Sequence, residues 1–246
     1  VVHCRPYFIN FIVLSAPLRY CMKVPLTELD SRMDRFRARM DTRKPGWKIA
    51  AITGKVPLYY FTGTMQDGLL LIPQGDDAVF WVRQSFERAQ EESLFPDLRK
   101  MRSYRDIAAA MGTLPKEAYL ETEQVPVAQL QRMQKHLPFF DIRSVDAEVS
   151  AVRAVKSPYE IALMERAGKI HRHVLEDLVP SMLAEGIDEV TFACDLYSVM
   201  VREGHQGIIR FGMFNEMLLG QIGVGTSSIR PICVDTPGGV SGLHPS

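Results

Sequence analysis

At 246 residues the chain is long enough for one large domain or two modest ones, with a core of useful size. Its 46% hydrophobic and 24% charged residues are ordinary for a globular protein. Lys+Arg and Asp+Glu both number 29 and no basic stripe stands out, which argues against a nucleic-acid or anionic-membrane role resting on charge.

Residues 1–21 read as a leader or as upstream translation, without regular structure. Val1 is not a usual initiator, and the apolar run 7–14 falls far short of the ~20 residues of a membrane span. Arg5 before that run and Ser15-Ala16 after it resemble a signal peptide faintly. A regular helix pattern begins directly after Met22, which therefore reads as the start. Thr27 can cap this helix, in which Leu29, Met33, Phe36 and Met40 recur at steps of three and four until Pro45-Gly46 ends it. Residues 47–53 (WKIAAIT) read as a buried strand and 58–61 as a second. Strands at 69–72 and 79–82 flank the polar turn 73–77, which predicts a hairpin. Helices follow at 86–92 and 104–111, the latter closed by Gly112. A strand at 118–121, a helix at 127–136 and a strand at 139–145 complete the series. Strands alternating with helices predict an α/β sandwich with a mixed sheet. No Gly-rich phosphate loop follows any strand, Thr62-Gly63-Thr64 being too slight for one.

The pattern changes after Asp146. Ser157 and Glu160 have capping-box spacing, and Pro158 sits at the first helical position, where its missing N–H costs nothing. The helix they open carries Ile161, Met164, Gly168, His171, Leu175 and Leu178 on one row, with Leu163, Ala167, Ile170 and Val174 beside it, which predicts a broad buried face. Pro180 comes near its end. A second helix spans about 188–203, apolar at Phe192, Leu196, Val199 and Met200, with Gly204 as its stop. From Gly207 onward, short apolar pieces broken by glycines read as strands and tight turns entering a sheet that Ser246 leaves unfinished.

Few residues invite a chemical role. His171 and His173 stand two apart on a helix and point roughly 200° away from each other, so they cannot share one ion. His171 reads as an edge-of-core residue, His173 as exposed, and His205 as a complement to a helix C-terminus. Asp76-Asp77 and Glu91-Glu92 read as solvated charge, and Met101, Arg102 and Arg105 form too small a basic group for an anion site. G-x-S-x-G does not occur, and no nucleophile–base pair can be argued from residue order. Cys4, Cys21, Cys194 and Cys233 are too far apart for a C-x-x-C motif and read as free thiols of a cytoplasmic protein. His244 is the residue singled out: it lies in the glycine-rich stretch 238–245, where the backbone can approach a ligand closely.

Residues 148–161 (EVSAVRAVKSPYEI), with Met164 and Ala167, resemble the R-x-x-K-S-P-x-E-I-x-x-M-x-x-A junction of the creatinase/prolidase/Xaa-Pro aminopeptidase family, the pita-bread metallopeptidases. Residues 58–63 (LYYFTG) resemble the Y-x-T-G strand end of its N-terminal domain, and 185–189 (EGIDE) its G-x-x-E helix start. The resemblance covers about residues 25–246 and implies an α/β fold: a creatinase-type N-terminal domain with mixed sheet and flanking helices over 22–148. An incomplete α+β pita-bread domain over 149–246 follows it. The implied activity is hydrolysis of the peptide bond before proline, with proline-containing peptides as substrate. The implied cofactors are two divalent metal ions (Mn, Co or Zn) that activate a bridging water through two Asp, one His and two Glu. Those ligands belong beyond Ser246, and the Asp235 loop matches neither ligand strand, so the chain is expected to bind no metal and to be inactive alone. The resemblance also implies a homodimer, with no nucleic-acid or membrane partner. It places His244 near a substrate-contacting, proton-handling histidine, although the loop departs from the commoner P-H-x-x-P form. A metal-free relative, either a creatinase-like C–N hydrolase or a protein-binding module, is the alternative, as is an inert chain that acts at most in dimerisation.

Overall fold

The computed structural model describes residues 23–208 together with Ile222. The leader, the start at Met22, Cys4, Cys21 and Cys233, the glycine-broken pieces after Ile208 and the His244 loop lie outside the described residues. Two compact units divide between Val155 and Lys156.

The first unit is built on six strands: β1 Ile49–Ile52, β2 Gly68–Pro73, β3 Val79–Val82, β4 Leu98–Lys100, β5 Glu117–Leu120 and β6 Asp141–Ser144. Their order is β4-β3-β2-β1-β5-β6. β2 pairs antiparallel with β1 and β3, while β4, β5 and β6 each add parallel to a neighbour. The mixed sheet expected from the sequence is therefore present. Every residue of β1 and β3 is buried, so both faces are covered. One face carries Ile49, Ala51, Leu69, Leu71 and Trp81 into a cluster with Ile107, Met133 and Phe139. Phe36, Trp47 and Phe61 form a separate, fully buried aromatic group, with Phe36 edge-on to both others at 5.2 and 6.2 Å. The outer strands β4 and β6 are mostly exposed and carry Arg99, Lys100, Asp141 and Arg143, charges that discourage edge-to-edge pairing.

The first helix, α1 Leu26–Arg43, begins before Thr27. Its N-cap is Pro25, whose carbonyl accepts from the Glu28 and Leu29 amides, and no side chain caps it. Residues 58–61, read as a strand, belong instead to a helix, α2 Lys55–Thr62. A four-residue apolar run carries no periodicity that separates the two states, and the flanks decide. Pro57 lies in the first turn, where no N–H is needed. Gly63 closes the helix at φ 75°, donating its N–H to the Tyr59 carbonyl at 2.8 Å. The amides of Thr53 and Gly54 both donate to one oxygen of Glu121, at 2.7 and 2.8 Å.

The remaining helices of this unit are α3 Phe86–Glu92, α4 Tyr104–Met111, α5 Val127–Gln134 and α6 Asp146–Ala154. A capping box of Ser103 and Asp106 opens α4. The sequence pattern assigns no element to β4 or α6. β4 has three residues and exists through its pairing with β3. α6 buries Val149 and Val152 and packs along α1, so the unit extends to Val155 although sequence character changes after Asp146.

In the second unit, α7 Pro158–His173 passes directly into a π-helical turn, Val174–Leu178, and then into a short helix, α8 Val179–Met182. Pro180 accounts for the irregularity: it has no N–H for the bond four residues back and its ring crowds that carbonyl, so the ladder widens ahead of it. α9 Glu189–Arg202 is capped by Asp188, which accepts from the Thr191 amide at 2.9 Å, and Gly204 follows it at φ 106°. No helix among the described residues is long and apolar enough to cross a membrane.

This geometry makes the first unit sensitive at two positions. A methyl group at Gly68 would stand 2.2 Å from the Trp81 carbonyl, a strand oxygen that cannot withdraw without breaking the β2–β3 ladder. Gly68→Ala should therefore lower the urea midpoint by the equivalent of about 1–3 kcal/mol. Glu121 is 2% exposed, and burial raises its pKa while the Gly54 and Thr53 amides pull it down. With the folded value above the unfolded value of about 4.3, its contribution is full below that value and is lost as pH rises through the folded pKa. The stability advantage of the wild type over Glu121→Gln should thus shrink as pH is raised from the acidic side toward neutrality, measured by urea unfolding across that range.

Candidate functional site

The second unit contains a groove of about 360 Å³ between α7 and α9, lined by Ile170, His171 and Val174 on one side and by Met200, Glu203 and His205 on the other. Each wall is placed by a local signal. Ser157 accepts from the Glu160 amide at 3.1 Å, and Glu160 accepts from the Ser157 amide at 2.9 Å, so the predicted capping box opens α7. On the far side, the backbone N–H of His205 donates to the Met200 carbonyl at 2.9 Å. The His205 ring makes its own bond to the backbone just beyond the helix. Its Nδ1 accepts from the Gly207 amide at 2.9 Å, which leaves Nε2 as the protonated nitrogen of the neutral ring. The groove is lined mainly by apolar groups, with the imidazoles of His171 and His205 and the carboxylate of Glu203 among them, a surface suited to apolar side chains with a few polar contacts.

Burial along α7 departs from the expected broad buried face. No residue of α7 is buried; Ile161 is 45% and Met164 57% exposed, and only Val174, in the π turn, is fully covered. The helical period is present, but a face is buried only where a second layer meets it. His171 is likewise exposed rather than at the edge of a core. His173 is exposed and its Nδ1 lies 2.6 Å from Asp177, one turn on.

In the first unit, the Asp76-Asp77 turn is exposed, and Arg37 of α1 donates to the carbonyls of Pro73, Gln74 and Asp76 from across the turn. Burial lowers the Arg37 pKa against the pull of the neighbouring aspartates. Glu92, read as solvated charge, is half-buried instead and accepts from Thr64 at 2.8 Å and Gln66 at 3.2 Å, tying the loop after α2 to α3. Glu91 is exposed. Glu121, at the end of the predicted strand 118–121, has a structural role that the strand pattern does not reveal. Its signal was indirect: a helix opening at Gly54-Lys55 without a local capping side chain needs an acceptor from elsewhere. Among the described residues no three His, Cys, Asp or Glu side chains come together in a way that could hold a metal ion. His244 cannot be placed, lying outside the described residues.

Residues 32–155, half of the chain, match the family described as the Creatinase/Prolidase N-terminal domain. No curated protein matches the sequence. Among solved structures, the prolidase from Pyrococcus horikoshii OT3 is 21% identical with a TM-score of 0.62, over 73% of this chain and 52% of its own. The Xaa-Pro dipeptidase from Bacillus anthracis is 17% identical with a TM-score of 0.62, over 74% and 52%. Dipeptidase PepE from Mycobacterium ulcerans is 20% identical, again with a TM-score of 0.62, over 76% and 53%. At these identities the likeness establishes the fold, and the chain spans about half the length of these relatives.

The exposure of α7 can be checked by substitution in this 246-residue chain. Met164→Lys should change stability by less than about 0.5 kcal/mol. Ser157→Ala, which removes the cap, should cost about 1 kcal/mol. Hydrogen exchange across α7 reads both, and a larger loss for Met164→Lys than for Ser157→Ala would contradict the exposed placement.

Proposed function

Because this chain belongs to the creatinase/prolidase N-terminal domain family, we propose that it serves an Xaa-Pro aminopeptidase or dipeptidase, a hydrolase that cuts the peptide bond before proline. The observation that carries the reading is the succession along the chain of a six-stranded mixed sheet and, after Val155, a capping-box helix. The likeness to a prolidase and to an Xaa-Pro dipeptidase covers 73–74% of the chain, more than the half matched by the family, so it runs past the first unit. In this reading the residues up to the junction are the N-terminal domain, and those from the junction onward begin a pita-bread catalytic domain. A cytoplasmic homodimer acting on proline-containing peptides belongs to the same proposal.

The chemistry of the reading requires two divalent ions, Mn, Co or Zn, and a set of Asp, His and Glu donors around them. The described residues do not fit that requirement, since no three such side chains converge among them, and no step through the ions is assigned to them. The 246-residue polypeptide is proposed to lack peptidase activity by itself, its contribution being the N-terminal domain and the junction.

Two experiments test the reading. The purified 246-residue chain, assayed on Xaa-Pro dipeptides and longer Xaa-Pro peptides with Mn²⁺ or Co²⁺, should show no turnover above the blank; chelator-sensitive turnover would overturn the proposed inactivity. Sequencing the source DNA past codon 246 should reveal a continuing frame with two Asp, one His and two Glu in ligand strands. A continuing frame without those carboxylates would favour the metal-free relatives.

A further inference from the structure

Independently of the peptidase reading, we propose that Arg35 and Tyr60 form a latch that pins the C-terminal end of α6, making residues 152–155 a fixed end point of the first unit. The last carbonyls of a helix have no N–H one turn ahead to bind them, and the negative end of the helix dipole lies there. At α6 those carbonyls are met from two other helices. The Tyr60 hydroxyl, on α2, donates to the Val152 carbonyl at 3.1 Å. The same oxygen of Tyr60 accepts from one terminal nitrogen of Arg35, on α1, at 3.1 Å. The other terminal nitrogen of Arg35 donates to the Val155 carbonyl at 3.1 Å. One guanidinium thus spans the phenol and the backbone one residue before Lys156, and a positive charge sits where the α6 dipole favours it.

The phenol is held in turn. Tyr60 is 5% exposed, its ring packs edge-on to Phe61 at 5.1 Å, and Arg32 lies over its face at 4.5 Å. Arg32 is itself buried, bound to Glu28 at 2.7 Å and donating to the Tyr60 carbonyl at 2.9 Å. The Tyr-x-Thr-Gly segment acquires a division of labour from this. Gly63 ends α2, Thr62 bonds back to the Leu58 carbonyl at 2.7 Å, and Tyr60 reaches from α2 to α6. A loose tether would need none of these contacts, whereas an end point held by two other helices needs them.

Hydrogen–deuterium exchange on the full 246-residue chain tests the latch, comparing wild type with Tyr60→Phe and Arg35→Ala. Tyr60→Phe keeps the ring and its packing while removing the hydroxyl that serves both bonds, so it remains informative if Arg35→Ala fails to fold. Both variants should speed exchange over residues 152–157 by about tenfold, the effect of losing one charge-assisted hydrogen bond, with β1 and β2 amides unchanged. Trypsin should also cut sooner after Arg153 or Lys156. Unchanged exchange over 152–157 in Tyr60→Phe would overturn the proposal. So would an acceleration spread evenly across β1 and β2, which would mark a general loss of stability.

Discussion

One carboxylate governs how the first unit turns its central strand into its second helix. β5 lies parallel to β1, with Leu120 opposite Ala51, so Glu121 emerges beside the amides that follow β1. There it accepts from Thr53 and Gly54 and supplies the cap that the start of α2 lacks. The arrangement carries a cost, because a carboxylate at 2% exposure has lost its water. Two backbone donors offset that cost in part, and the raised pKa is the remainder. Everything that α2 carries depends on this start: Phe61 in the aromatic group, Thr62 and Gly63 at its end, and the Tyr60 phenol.

Charge inside this unit is used sparingly and always with geometry. Glu28 and Arg32 are one turn apart on α1 and both buried, a pair whose worth lies in orientation more than in net stability. Removing either partner would strand the other in a low-dielectric site. Arg37, farther along the same helix, meets backbone carbonyls and thereby holds the β2–β3 turn against α1. Exposed pairs such as Arg83–Asp67 and Lys100–Glu87 contribute little by comparison.

The two units show opposite relations between pattern and burial. In the first, the apolar strands are covered on both faces and the core is closed among the described residues. In the second, the helices are set by end signals, with Ser157 and Glu160 opening α7 and Asp188 opening α9. The apolar row of α7 remains largely exposed, and that of α9 is only partly covered. Local hydrogen bonds suffice to start and stop a helix; they do not supply the layer that would bury it.

That contrast marks what the sequence by itself determined. The hairpin of β2 and β3, the helices over 86–92 and 104–111, and the capping box at Ser157 were legible, because each depends on residues adjacent in the chain: a polar turn, a Gly stop, a hydroxyl three positions before a carboxylate. The Ser-Pro-x-Glu junction likewise carried the family resemblance. What tertiary structure alone decided was the helical state of residues 55–62, the existence of β4 and α6, the role of Glu121 and the exposure of α7. Each of these depends on a group far away in sequence. Glu121 stands more than sixty residues from the amides it caps, β4 exists only against β3, and α6 is held by α1 and Tyr60. Short apolar runs are ambiguous until a partner surface selects among the states they allow, and only the folded chain supplies that surface.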